Sequence, residues 1–97
     1  MYVEEIRSPG ALTAESAEEL AASAAGYTSR ITVAAGGHAV NLPVLPWCWA
    51  DLGIAAGTRV TITAEADSRP PDLEDRRALE AVVSCFRTLG HTTIRHP

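Results

Sequence analysis

The sequence predicts an α+β fold in which a four-stranded antiparallel sheet carries its helices on one face. Three observations predict it. Apolar residues switch between strand and helix spacing along the chain in the order β-α-β-β-α-β-α. The strand-like stretches alternate and so leave one apolar sheet face. The two longer helix-like stretches each carry a single apolar stripe, which the sheet face covers.

"YVEEIRS" alternates weakly, with Ile6 and Glu4 on one face and Val3 and Glu5 on the other, and reads as a short strand at a sheet edge. Pro9 and Gly10 end it. "TAESAEELAASAAGY" predicts a helix. Thr13 or Ser16 serves as its cap, and Ser16 followed by Glu19 has the spacing of a capping box. Ala17, Leu20, Ala21 and Ala24 fall on one side of it, and Gly26 is placed to stop it in a left-handed conformation. "SRITVAAGGHAVNL" predicts a β-hairpin. Ile31 and Val33 alternate with Arg30 and Thr32, Gly36-Gly37 supplies the positive backbone angles of a tight turn, and Val40 and Leu42 continue the alternation. "PVLPWCWADLG" predicts a short helix from about Pro46 to Leu52, because proline suits a first turn, with Gly53 ending it. "TRVTITAEA" alternates strictly, with Val60, Ile62 and Ala64 inward and Arg59, Thr61 and Thr63 outward. After the linker "DSRPP", Asp72 caps a last helix whose stripe is Leu79, Val82, Val83, Phe86 and Leu89. The chain divides into one domain over residues 1–90 and a frayed tail over 91–97.

Composition bounds the function. A chain of 97 residues with 46% hydrophobic content suffices for one small core. The net charge is -4, and all eight basic residues are scattered arginines, so no basic stripe is available to neutralise phosphates and no nucleic-acid partner is expected. No apolar run is long enough to cross a bilayer, and "MYVEEIRS" lacks the character of a secretory leader, so a cytoplasmic protein without a membrane partner is expected. Cys48 and Cys85 are expected to be reduced, partly buried thiols. His38, His91 and His96 do not combine with them into metal-ligand spacing, so neither a metal nor a cofactor is expected.

The same stretches resemble the histidine-containing phosphocarrier protein (HPr) family of the bacterial sugar phosphotransferase system. "YTSRITVAAGGHAVNL" looks like the family's second and third strands with their glycine turn. "DLGIAAGTRVTITAEA" looks like its Leu-Gly, spaced Gly and alternating strand. "ALEAVVSCF" looks like its last helix. The resemblance runs over about residues 3–89, with an extra residue near 46–49, and implies an open-faced β-sandwich. It also implies a site: a Gly-Leu-His-Ala-Arg-Pro segment at the start of the first helix, where the histidine takes a phosphoryl group and the arginine and helix N-terminus stabilise it.

Counting back from Tyr27 sets Thr13 against that histidine, Glu15 against the arginine and Ser16 against the proline. A shift of one residue brings Leu12 to the histidine position, so the departure is independent of register. Val44 matches the family's regulatory serine. A threonine hydroxyl without a nearby base is a poor nucleophile, and Glu15, Glu18 and Glu19 put negative charge where phosphate would approach. The expectation is therefore an HPr-like module that is not an enzyme and does not carry phosphate. Thr13 is expected to be an N-cap. In the family the short helix after the third strand docks partner proteins; here it holds Leu45, Trp47, Cys48 and Trp49, and these residues with the first helix are the expected partner-binding surface. Two other readings follow the same residues: a phosphocarrier using Thr13 or His38, and a self-associating domain with the tryptophan patch as its dimer contact. His38 on the bland reading is a solvated residue beside a turn, Cys48 an inert thiol, and Arg76, Arg77 and Glu80 a solvated helix face.

Overall fold

The computed structural model describes residues 1–65 and 73–89. Four strands, β1 (Tyr2–Arg7), β2 (Arg30–Ala35), β3 (His38–Asn41) and β4 (Arg59–Glu65), form one antiparallel sheet in the order β1-β4-β2-β3. The last strand thus lies between the first two. The register pairs Ile6 with Val60, Val33 with Ile62, and Val33 with Val40. The inward set is the alternating one read from the sequence: Ile6, Ile31, Val33, Ala35, Val60, Ile62 and Ala64 are all buried. Gly36 and Gly37 make the two-residue β2–β3 turn with φ of 60° and 84°, a turn that matches the twist of the strands it joins.

Helix α1 (Ala14–Ser23) buries Ala17 and Leu20, with Ala21 and Ala24 packed beside them. Helix α3 (Leu73–Arg87) buries Ala78, Leu79, Val82, Val83 and Phe86 over β1 and β4. Helix α1 lies between α3 and the helical run that follows β3. Phe86, Leu20, Ile31, Leu42 and Leu45 are among the largest fully buried side chains, so sheet and helices share one core.

Thr13 is the N-cap, as expected, because the first helical residue is Ala14. Three local expectations are corrected, the first being the capping box read from Ser16 to Glu19. Ser16 is then the third residue of the helix and closes the box with Thr13, and Glu19 lies a turn too far on to take part. Helix α1 ends at Ser23 with Ala24 as its C-cap, at φ of −112°, and Gly26 has no positive φ. The helical run begins at Leu42 rather than Pro46. It consists of a 3-10 turn (Leu42–Val44), the single turn α2 (Leu45–Cys48) and a second 3-10 turn (Trp49–Leu52), with Pro43 and Pro46 each at a permitted first-turn position. Gly53 ends the run with φ of 61°, as read from the sequence. The linker "DSRPP", the Asp72 cap and the tail from Gly90 onward, with His91 and His96, lie outside the described residues.

Two clamps fix α1. At its start, the Leu12 N–H donates to the Ile54 carbonyl at 3.1 Å, while Ser8 exchanges backbone bonds with Gly57 and Thr58 at 2.7 and 2.8 Å. Beyond its end, the first turn of α3 grips the loop into β2. The Glu74 carboxylate accepts from the Thr28 N–H (2.8 Å) and hydroxyl (3.1 Å), and the buried Asp75 accepts from the Ser29 hydroxyl. No sequence feature had marked the second clamp.

Candidate functional site

The start of α1 is closed by its own side chains. The Thr13 Oγ1 accepts from the Ser16 N–H at 3.1 Å, the Ser16 Oγ accepts from the Thr13 N–H at 2.8 Å, and the two hydroxyls lie 3.0 Å apart. This reciprocal box satisfies donors that the first helical turn would otherwise leave to water. Among the described residues the Thr13 hydroxyl bonds to Ser16 alone, so no imidazole or guanidinium reaches it. Glu15 stands in the first turn, exposed, where a carboxylate suits the positive end of the helix.

His38 opens β3 just after the glycine turn and is exposed. With Arg59 it lines a shallow cleft of about 360 Å³ beside Gly36 and Gly37. The Arg59 guanidinium is 3.6 Å from the Glu5 carboxylate, an exposed and weak pair. The His38 backbone is paired with Ala35 in the β2–β3 ladder, and its imidazole makes no hydrogen bond among the described residues.

The helical run from 42 to 52 divides its side chains sharply. Leu42, Leu45 and Leu52 are buried and tie it to the core. Trp49 is half-buried against that core, and Cys48 is half-buried. Trp47 stands out at 81% exposure, with Val44 beside it at 46%. The partner-binding residues read from the sequence therefore separate. Leu45 cannot contact a partner, because it is wholly inside; it anchors the turn that presents Trp47. Val44, a surface residue that sequence reading set only against a regulatory serine, joins Trp47 on the outside.

Helix α1 packs against this run on one flank and α3 on the other. The α3 flank is marked by Glu19. Burial raises the Cys85 thiol above its ordinary value, and the Glu19 carboxylate opposite raises it further. Successive residues of an α-helix lie about 100° apart, so Glu18 falls on the other flank, toward α2. Ala21, Ala22 and Ala25 share that flank and, with Leu42 and Pro43, line an open groove of about 590 Å³. The exposed surface of α1 and the 42–52 run thus combines one exposed indole, a shallow alanine-walled groove that Arg30 of β2 also lines, and the carboxylates of Glu15, Glu18 and Asp51, all exposed. Neither α1 nor any part of the 42–52 run contains a lysine, arginine or histidine. Among the described residues no group of three or more His, Cys, Asp or Glu side chains is arranged to hold a metal ion, and no helix is long and apolar enough to cross a membrane.

Comparison with solved structures identifies the fold. The HPr protein of Thermoanaerobacter tengcongensis, described as HPr-C-His, superposes with a TM-score of 0.72 at 23% identity, over 93% of this chain and 96% of its own. The chain has the HPr fold. The phosphocarrier protein HPr of Bacillus anthracis gives a TM-score of 0.72 at 22% identity over 88% and 95% of the two chains. The histidine-containing phosphocarrier protein of Mycoplasma gives 0.69 at 22% identity over 87% and 90%. No family model matches the sequence, and no curated protein matches it. Identities of this size carry the fold and no residue's role. The HPr-like sandwich places the start of α1 beside Ile54 and turns the α1–α2 face to solvent.

Proposed function

We propose that this chain is an HPr-like domain that does not carry phosphate and that works as a protein-binding or regulatory module through α1 and the exposed part of the 42–52 run. The observation that supports it most directly is the state of Thr13. On the residue count Thr13 takes the place of the family's phosphoryl-accepting histidine. Its hydroxyl is engaged in a capping box, no base among the described residues is in contact with it, and on the same count Glu15 takes the place of the family's arginine. A phosphoryl group arriving there would meet carboxylates rather than a guanidinium. What the corner retains is a well-capped helix start, next to a turn that holds an indole in water. An exposed tryptophan is a strong interface anchor once it is desolvated.

The experiment is phosphotransfer. The intact protein is incubated with phosphoenolpyruvate and the phosphotransferase system's phosphoryl donor enzyme, with an active HPr as control. The expected result is no acid-labile phosphate on this chain. A second reading rests on His38, which shares a cleft with Arg59: a phosphocarrier with a displaced acceptor. Acid-labile phosphate that disappears in His38→Ala would establish it and end the first reading.

A further inference from the structure

We infer that the partner of the α1–α2 face is a cationic protein surface with an apolar pocket that accepts the Trp47 indole; this rests on the docking reading above and adds the partner's chemistry. The charges on the domain are handled in two ways. Away from this face, carboxylates meet arginines: Glu4 with Arg87 at 3.0 Å, Glu5 with Arg59 at 3.6 Å, Glu80 with Arg76 at 3.2 Å. On the face, Glu15, Glu18 and Asp51 meet none among the described residues, and no basic side chain belongs to the elements that carry them. Glu15 and Glu18 sit a helical turn apart, a like-charge spacing that slightly destabilises the helix. Among the described residues the fold therefore leaves these carboxylates uncompensated, on the elements that carry or adjoin the exposed Trp47 indole.

An exposed aromatic anchor accompanied by unpaired carboxylates on neighbouring elements is complementary to an apolar pocket accompanied by cationic side chains. Three alternative occupants fit less well. Nucleic acid is a polyanion and is repelled. An anionic lipid surface is repelled for the same reason. A second copy packed face to face would bring Glu15, Glu18 and Asp51 against their own equivalents, because such a contact uses the same patch twice.

The test is selection of a random 12-residue peptide library displayed on phage against the immobilised full chain. Enriched peptides are remade and titrated against the wild type, Trp47→Ala and Glu15→Lys/Glu18→Lys. The folded state of each variant is checked by its amide NMR spectrum. The expected outcome is a set of net-positive peptides carrying apolar residues. Their affinity falls about tenfold or more in each variant and weakens with added salt. Peptides that need Trp47 but are neutral or acidic, or that bind Glu15→Lys/Glu18→Lys as well as wild type, overturn this inference and leave the docking reading standing. An enriched set indifferent to Trp47→Ala, or no enrichment, overturns both. Sedimentation equilibrium of the free chain completes the test: association that Trp47→Ala abolishes would assign the face to a second copy instead.

Discussion

Removing the Thr13 hydroxyl is expected to destabilise the domain by about 1 kcal/mol, the usual cost of replacing a threonine cap by alanine. The structure sets where in the range this site falls. Thr13 is exposed, so water replaces part of what the Ser16 N–H loses, which argues against the upper end near 2 kcal/mol. The cap nevertheless governs the helix that buries Ala17 and Leu20, so fraying of the first turn loosens core packing as well. Ser16→Ala removes the reciprocal bond to the Thr13 N–H and is expected to cost about 0.5–1 kcal/mol. Because the two side chains form one box, the double variant should lose less than the sum. Thr13→Asn, with an equal or better cap, should recover most of the loss. The assay is urea unfolding followed by far-UV circular dichroism, reading the midpoint at constant slope. For a chain of this size the alanine variant should melt about 4–8 °C lower. If Thr13→Ala and Thr13→Asn both unfold with the wild type, the hydroxyl is not committed to capping. The argument that it is unavailable as a phosphate acceptor then fails.

Leu45→Ala should cost about 2–5 kcal/mol, because a fully buried leucine is removed; Trp47→Ala, two residues on, should change stability by less than about 0.5 kcal/mol in the same urea titration. Ser29→Ala leaves the buried Asp75 one hydrogen bond short and should cost about 1–3 kcal/mol, seen as a lower unfolding midpoint that Glu80→Ala on the exposed face of α3 does not reproduce. The Cys85 thiol is raised by burial and then by Glu19, so the folded state holds its proton more tightly than the unfolded chain. The stability this contributes is complete below the unfolded-chain value and is lost as pH rises toward the folded one. Iodoacetamide labelling of Cys85, read by mass spectrometry, should accordingly be slower in the folded protein than in urea, and faster in Glu19→Gln than in wild type. Gly37→Ala meets no neighbouring atom but forces a side chain onto a φ of 84°, so a loss of about 1–2 kcal/mol from backbone strain alone is expected in the melting curve.

The sheet was legible because its signals are local. Val60, Ile62 and Ala64 alternate without interruption, and two adjacent glycines leave few options for the turn between Ala35 and His38. The last helix was legible for the same reason, through a stripe that recurs with the helical turn. The misreadings sit where the outcome depends on contacts distant in sequence. Thr13 and Ser16 are both good caps. The bond from Leu12 to Ile54 brings the chain in at a point that makes Thr13 the cap. Gly26 looked like a helix terminator. The helix stops earlier, and the loop beyond it is held by Glu74 and Asp75, 46 positions away from Thr28 and Ser29. The tryptophan segment was recognised, but which of its side chains point outward depends on the residue where the helical run begins. A start at Leu42 rather than Pro46 puts Leu45 inside and leaves Trp47 in water. That Glu15, Glu18 and Asp51 meet no basic side chain among the described residues while Glu4, Glu5 and Glu80 do is visible only in three dimensions.

The unequal settings of Trp47 and Trp49 equip the domain with two native fluorophores that answer different questions. One already emits from water and can only shift to the blue, when something covers it. The other is partly shielded by the interior and shifts to the red when the interior opens. Since these are the sole indoles in the chain, the direction of a change in unlabelled emission tells capture of a binding partner from loss of structure within one cuvette.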